Sequence, residues 1–188
     1  MADKPLDGHR VLALVTNYGV EQDELLVPLE RLRENGADVT VAAATADPVQ
    51  TLVGDKDPGE TVEPDATFDV VDPVDHQLLL LPGGTLNADQ LRLDDKALAI
   101  VKAFVASGRP VAAICHGPWA LVEADAVRGK TLTSYASLRT DIRNAGAASW
   151  VDEPVVSDTA GGYTLITSRT PKDLDAFLDA INKALIGS

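Results

Sequence analysis

The sequence of 188 residues predicts an α/β fold in which a mostly parallel sheet is covered by helices on both faces, and three observations point to it. Short continuous apolar runs recur at Val11 to Val15, Gln77 to Leu81 and Val111 to Ile114. Each is too short for a helix and is bounded by turn residues, as strands buried on both faces are. Between them lie segments whose apolar residues fall at helical spacing, and the two kinds alternate, which makes the helices crossovers between parallel strands.

The first strand, VLALV, runs into the turn Thr16-Asn17-Tyr18-Gly19. Glu21 to Asn35 then places Leu25, Leu29 and Leu32 on one face, and Gly36 is positioned to end that helix. Pro28 inside it lacks a backbone donor and crowds the preceding turn, so a kink or an irregular start near Glu24 is expected. Val39 to Ala43 forms the second strand. The stretch Asp47 to Asp75 is rich in Pro, Gly and acidic residues, with brief alternation at Thr61-Val62-Glu63 and Thr67 to Val70, and predicts short antiparallel excursions or a loop insertion.

Gln77 to Leu81 ends in Pro82-Gly83-Gly84, a turn at which backbone donors can be exposed. Asp94 to Ser107 carries Leu98, Val101, Phe104 and Val105 at helical spacing and is closed by Gly108 and Pro110. The strand Val111 to Ile114 leads directly to Cys115, and a helix follows with Pro118 in its first turn. Thr131 to Thr133 and Thr164 to Ile166 are further strands. Leu174, Phe177, Leu178, Ile181 and Leu185 form a terminal amphipathic helix. The chain is expected to be one domain over 1–188, with 1–8 a polar N-terminal extension.

Composition narrows the function classes. Hydrophobic residues make up 45% and charged residues 24%, an ordinary globular balance. The formal net charge of −13 repels phosphate backbones and anionic lipid, so neither nucleic acid nor membrane is an expected partner. No apolar run approaches the ~20 residues of a membrane helix, and Met1 to Gly8 lacks a secretory signal pattern, so a cytoplasmic location is expected. A lone cysteine excludes an intrachain disulfide, and no histidine pair has metal-ligand spacing. Neither metal nor cofactor is expected.

Chemistry concentrates at Ala113-Ile114-Cys115-His116-Gly117. A small residue two before the cysteine and a glycine two after it permit the sharp strand-to-helix turn of a nucleophile elbow. The sulfur would stand over a helix N-terminus, which lowers a thiol pKa. A buried core thiol is the competing reading, since free cysteines are among the most buried residues. Gly84, at the end of another parallel strand, can offer its N–H beside that of His116 as an oxyanion hole. His116 is the base candidate, although neighbours on a tight turn tend to point apart. His9 and His76 flank strands and are expected at the solvated surface. Glu21 and Glu24, three residues apart on one helix face, lie at the same sheet edge, and one of them is expected to meet the sulfur.

In order along the chain, LLLLPGG, AAICHGPWAL, TSY and LITSRTPKDL resemble the PfpI branch of the ThiJ/PfpI superfamily, as does Glu-x-x-Glu-Leu-x-x-Pro from Glu21 to Pro28. The resemblance runs from about Val11 to Leu185. It implies a flavodoxin-like three-layer sandwich related to class I glutamine amidotransferase domains, assembled as homodimers or larger rings. It also implies that Cys115 is the nucleophile, His116 the adjacent histidine, Glu24 the carboxyl group on the sulfur and Gly84 a backbone donor. In the family's peptidases an acidic residue from a neighbouring subunit orients the histidine, and Asp89 is its nearest match. The chain departs from the pattern there, with Asp in place of Glu and one extra residue after Gly84.

Three functions follow as expectations. One is a stress-response cysteine peptidase or related hydrolase acting on peptides. Another is a glyoxalase or protein deglycase acting on methylglyoxal or its adducts. The last is a non-enzymatic redox sensor or holdase in which Cys115 is oxidised.

Overall fold

Side chains alternate across a strand, so an uninterrupted apolar strand needs cover on both sides. The computed structural model, which describes residues 4–187, supplies that cover. Its strands are β1 (Arg10–Val15), β2 (Tyr18–Glu21), β3 (Asp38–Ala43), β4 (Val49–Val53), β5 (Asp57–Val62), β6 (Ala66–Thr67), β7 (Leu78–Leu81), β8 (Val111–Ile114), β9 (Thr131–Leu132), β10 (Ser149–Trp150), β11 (Val155–Asp158) and β12 (Leu165–Ser168). Its helices are α1 (Gln22–Glu34), α2 (Thr85–Leu91), α3 (Asp95–Ala106), α4 (Pro118–Glu123), α5 (Arg139–Asn144) and α6 (Leu174–Ile186).

The central sheet has the order β11-β12-β8-β7-β1-β3-β6 and is parallel except for the antiparallel β11–β12 pair. On one face Val11, Ala13, Val15, Leu78 and Leu80 pack with Leu25, Leu29 and Leu32 of α1 and with Phe177, Leu178 and Ile181 of α6. On the other, Leu12, Leu14, Leu79 and Leu81 pack with Ile100, Val101 and Phe104 of α3 and Leu121 of α4. Odd and even positions of β1 and β7 thus feed two separate cores, the three-layer α/β sandwich expected.

The long strands and helices fall where the sequence places them, and the differences have local causes. α1 runs through Pro28 without a break; the proline is buried, and it removes only the bond that would return to the Glu24 carbonyl. The segment Tyr18–Glu21, expected as part of a turn, is β2. It joins β4 and β5 in a separate three-stranded sheet, in which β4–β5 is the antiparallel excursion anticipated after Asp47. β9 pairs with β10 and stays outside the central sheet. Within the expected polar extension, Leu6 is buried and its N–H donates to the Asn35 carbonyl, while residues 1–3 lie outside the described residues. None of the described helices is long and apolar enough to cross a membrane.

Candidate active site

β1, β7 and β8 end side by side, so the loops after them share the carboxyl edge of the sheet, where open α/β folds build their sites. Cys115 follows β8 directly and holds φ at +60°, a left-handed conformation rare for a side chain of this kind. Several bonds hold the bend. The Cys115 N–H donates to Ser168 O at 3.0 Å, its carbonyl accepts from Tyr135 N at 2.9 Å, and Gly117 N donates back to Ile114 O at 2.8 Å. Gly117 leaves no room for a Cβ, which would meet the Leu81 carbonyl. This is the strained elbow expected of a nucleophile.

The cysteine is 6% exposed and opens on a cavity of about 310 Å³ lined by Glu21, Glu24, Asp55, Thr85, His116 and Tyr135, among others. The backbone N–H groups of Gly84 and His116 both act on the sulfur, favouring its charged form. Gly84 has φ +81°, and a Cβ there would strike the backbone of Gly19 to Glu21. The Gly83–Gly84 turn is fixed by buried Asn87, whose Nδ2 donates to Gly83 O at 2.9 Å while its Oδ1 accepts from Thr16 N at 2.7 Å.

Of the two acidic candidates, Glu24 meets the sulfur. It is fully buried, and its Oε2 accepts from Gly83 N at 2.8 Å. Oε1 has no partner of good hydrogen-bond geometry, and the carboxyl interacts with the thiol. Burial above all pushes the Glu24 pKa from 4.5 up to about 8, so the group is a carboxylic acid at neutral pH. Glu21 ends β2 and reaches the β4–β5 hairpin tip at the pocket wall instead: its two oxygens accept from Gly54 N and Asp55 N, each at 3.1 Å.

The thiol departs from expectation. Burial, then the charge of Glu24 and its hydrogen bond, push Cys115 up and not down, against the pull of the two N–H donors. α4 begins only at Pro118, and its dipole does not outweigh these effects. Cys115 and Glu24 titrate as a pair, in which the first charge formed opposes the second.

His116 pairs with the sulfur more directly than a neighbour on a tight turn was expected to, with Nδ1 3.1 Å from Sγ. Its ring stacks on Tyr135 at 4.7 Å between centroids and meets the edge of Trp119 at 5.3 Å. Nε2 lies 3.3 Å from Ser137 Oγ and 3.5 Å from Thr85 Oγ1. Burial lowers the imidazole pKa, opposed by the charge of Asp55, so the ring can accept a proton at neutral pH.

Asp89 is exposed on α2 and bonds Gln90; within one chain it does not reach His116. His76 is not solvated but 6% exposed, with its ring nitrogens on Asp72 O and Thr40 Oγ1 at 3.2 Å each. His9 is half-buried. The sequence reading missed Asp55, Thr85, Asn87, Tyr135 and Ser137. Thr85 and Asn87 follow the Gly-Gly turn closely enough to have been candidates, whereas Asp55 is one acid among many in its segment.

Over residues 9–184 the chain matches the DJ-1/PfpI family. It is 39% identical over 176 residues to the deglycase PH1704 of Pyrococcus horikoshii, spanning 94% of this chain and 99% of that one. It is 40% identical over 166 residues to general stress protein 18 of Bacillus subtilis, spanning 88% and 92%. Among solved structures, Drosophila melanogaster DJ-1beta is similar with a TM-score of 0.83 at 28% identity, covering 96% of this chain and 91% of that one. The elbow cysteine, the buried carboxyl beside it and a match over nearly the whole length lead to one conclusion: the chain belongs to the DJ-1/PfpI family.

Proposed function

We propose that the protein is a cysteine-dependent enzyme acting on carbonyl adducts of amines, a protein deglycase. The observation that carries this reading is the placement of Cys115 Sγ 3.1 Å from His116 Nδ1, beside a buried Glu24 that keeps its proton at neutral pH. As the sulfur adds to the electrophilic carbon, its proton passes to His116 Nδ1. The oxygen that gains charge is met by the N–H groups of Gly84 and His116, with Glu24 as a proton donor. His116 then returns its proton to the departing amine as the C–N bond breaks, leaving a hemithioacetal on Cys115. His116 carries the proton from its C1 to C2, while Glu24 gives a proton to the C2 oxygen and takes one from the C1 oxygen. Water hydrolyses the resulting lactoyl thioester to lactate and the free thiol.

Without the isomerisation, the same addition, amine departure and hydrolysis would cleave a peptide. The cavity, about 310 Å³, lies at the small end of the range for ligand sites and suits a compact adduct better than an extended chain. The deglycase name of the relative PH1704 agrees with that preference. Burial weighs against the redox-sensor reading, because oxidation favours exposed thiols; the raised thiol pKa bears on every reading, and in the reaction above His116 meets it by taking the proton. Asp89 enters this scheme only from a neighbouring copy of the chain in a homodimer or larger oligomer.

The test uses N-acetyl-lysine treated with methylglyoxal and a peptide amide in parallel, following amine and lactate release. Wild type is expected to release both products from the adduct faster than buffer, with little turnover of the peptide. Cys115→Ser is expected to lose at least ~100-fold. Equal rates in wild type and Cys115→Ser overturn the proposal, and preferential peptide cleavage replaces it with the peptidase.

A further inference from the structure

The tip of the β4–β5 hairpin is built to present one carboxylate to the active site. Asp55 takes φ +58°, a conformation costly for a residue with a side chain. The Glu21 carboxylate holds it there by accepting from Gly54 N and Asp55 N. So held, Asp55 faces Thr85 across the pocket mouth. Its Oδ1 accepts from Thr85 N at 2.8 Å, and its Oδ2 accepts from Thr85 Oγ1 at 2.7 Å.

A hydroxyl has one proton to give. Thr85 gives its own to Asp55, so toward His116 Nε2, 3.5 Å away, its oxygen can only accept. Ser137 Oγ, 3.3 Å from the same nitrogen, can accept as well. An acceptor at Nε2 places the imidazole proton there and leaves the Nδ1 lone pair facing the Cys115 thiol at 3.1 Å.

We propose that Asp55 is the intrachain positioning residue of His116: through Thr85 it fixes the imidazole with Nδ1 as the proton acceptor for Cys115. This rests on the reading of His116 as proton acceptor given above. The assignment also supplies an acidic partner within one subunit, where Asp89 supplies none. Glu21, Glu24, Cys115 and Tyr135 are the other titratable groups that line the pocket with His116, and on its far side Arg92 sits 5.5 Å from the Trp119 ring. Among these it is the charge of Asp55 that acts on the ring, favouring its protonated form against burial.

Three variants test this. Asp55→Asn removes the charge, Asp55→Gly removes the side chain while still accepting the positive φ, and Thr85→Val removes the hydroxyl. Nitrogen-15 spectra of the histidines across pH report the His116 tautomer and titration. The rate of alkylation of Cys115, the chain's one cysteine, by iodoacetamide reports thiol activation. Neither readout needs a substrate.

Wild type is expected to carry its neutral imidazole proton on Nε2. Asp55→Asn and Asp55→Gly are expected to move the His116 titration to lower pH. Thr85→Val is expected to populate the other tautomer, and all three to slow alkylation at neutral pH roughly tenfold. Unchanged tautomer and titration in folded Asp55→Asn and Asp55→Gly overturn the proposal. A wild-type titration in Asp55→Gly with a defect only in Asp55→Asn also overturns it, since the turn and not the carboxylate would then matter. If wild type shows no deglycase activity yet His116 responds as expected, the proposed function fails and this inference stands.

Discussion

A carboxyl group that is out of water, bonded to one backbone N–H and facing a thiol keeps its proton where solvated carboxylates lose theirs. Glu24 is that group, with a pKa of about 8 against 4.5 for the free side chain. The sign of its linkage to folding follows. The native state binds the proton more tightly than the unfolded chain, so the contribution of Glu24 is fully present below pH 4.5. It is then lost as pH rises toward 8, by about 1.4 kcal/mol per unit. Glu24→Gln keeps an acceptor for Gly83 N and cannot ionise. In urea titrations across this range, the stability of Glu24→Gln relative to wild type is expected to rise with pH, and the variant's turnover in the proposed deglycase reaction to fall. A difference that stays flat with pH removes the assignment of a buried acid. Cys115, His116 and Gly84 were legible in the sequence because each stands at a strand end, where chain position fixes the sheet edge; position left Glu21 and Glu24 equal, and only the family resemblance chose Glu24. Asp55, Thr85 and Ser137 were not legible, because what selects them is a hydrogen bond across 21 to 31 residues.

Among the elements, the β4–β5 hairpin carries the site's least rigid wall. Its tip is tied by side chains: Glu21 grips two of its N–H groups, and Asp55 grips Thr85. Glu21→Ala is therefore expected to speed hydrogen exchange at Gly54 and Asp55 by roughly tenfold, while amides of β1, β7 and β8 keep their protection. Exchange unchanged at the tip would show that the hairpin holds itself. The central strands were readable from the sequence because burial on both faces writes a continuous apolar run. β2, β6, β9 and β10 have four residues or fewer and write no period. α2 and α5 escaped notice for a similar reason, with seven and six residues and three and one buried side chains. The covering helices α1, α3 and α6 each repeat their apolar face over three turns or more and stood out.

For the molecule as a whole, two cores share one sheet. Phe104 on α3 and Phe177 on α6 are both fully buried, one in each core. Each change to Ala is expected to cost about 3–5 kcal/mol, and the double variant the sum of the two, since they share no packing partners. A double variant costing well under the sum would mean that the layers are coupled through the strands. The layered architecture was readable from alternation alone. The small β2-β4-β5 sheet was not, because its pairing spans the acidic segment, where composition says loop and only the antiparallel tendency showed.

The ends of the central sheet carry one more consequence. On one side it stops at β6, two residues long; on the other it stops at β11, a strand that runs against the rest and follows Pro154. A two-residue rim and a short, proline-led rim offer little template for another chain's backbone. The interior strands are the kind that polymerise into fibrils when uncovered. In crowded or damaged surroundings, where partly unfolded chains collect, these two short end strands give them little length along which to stack.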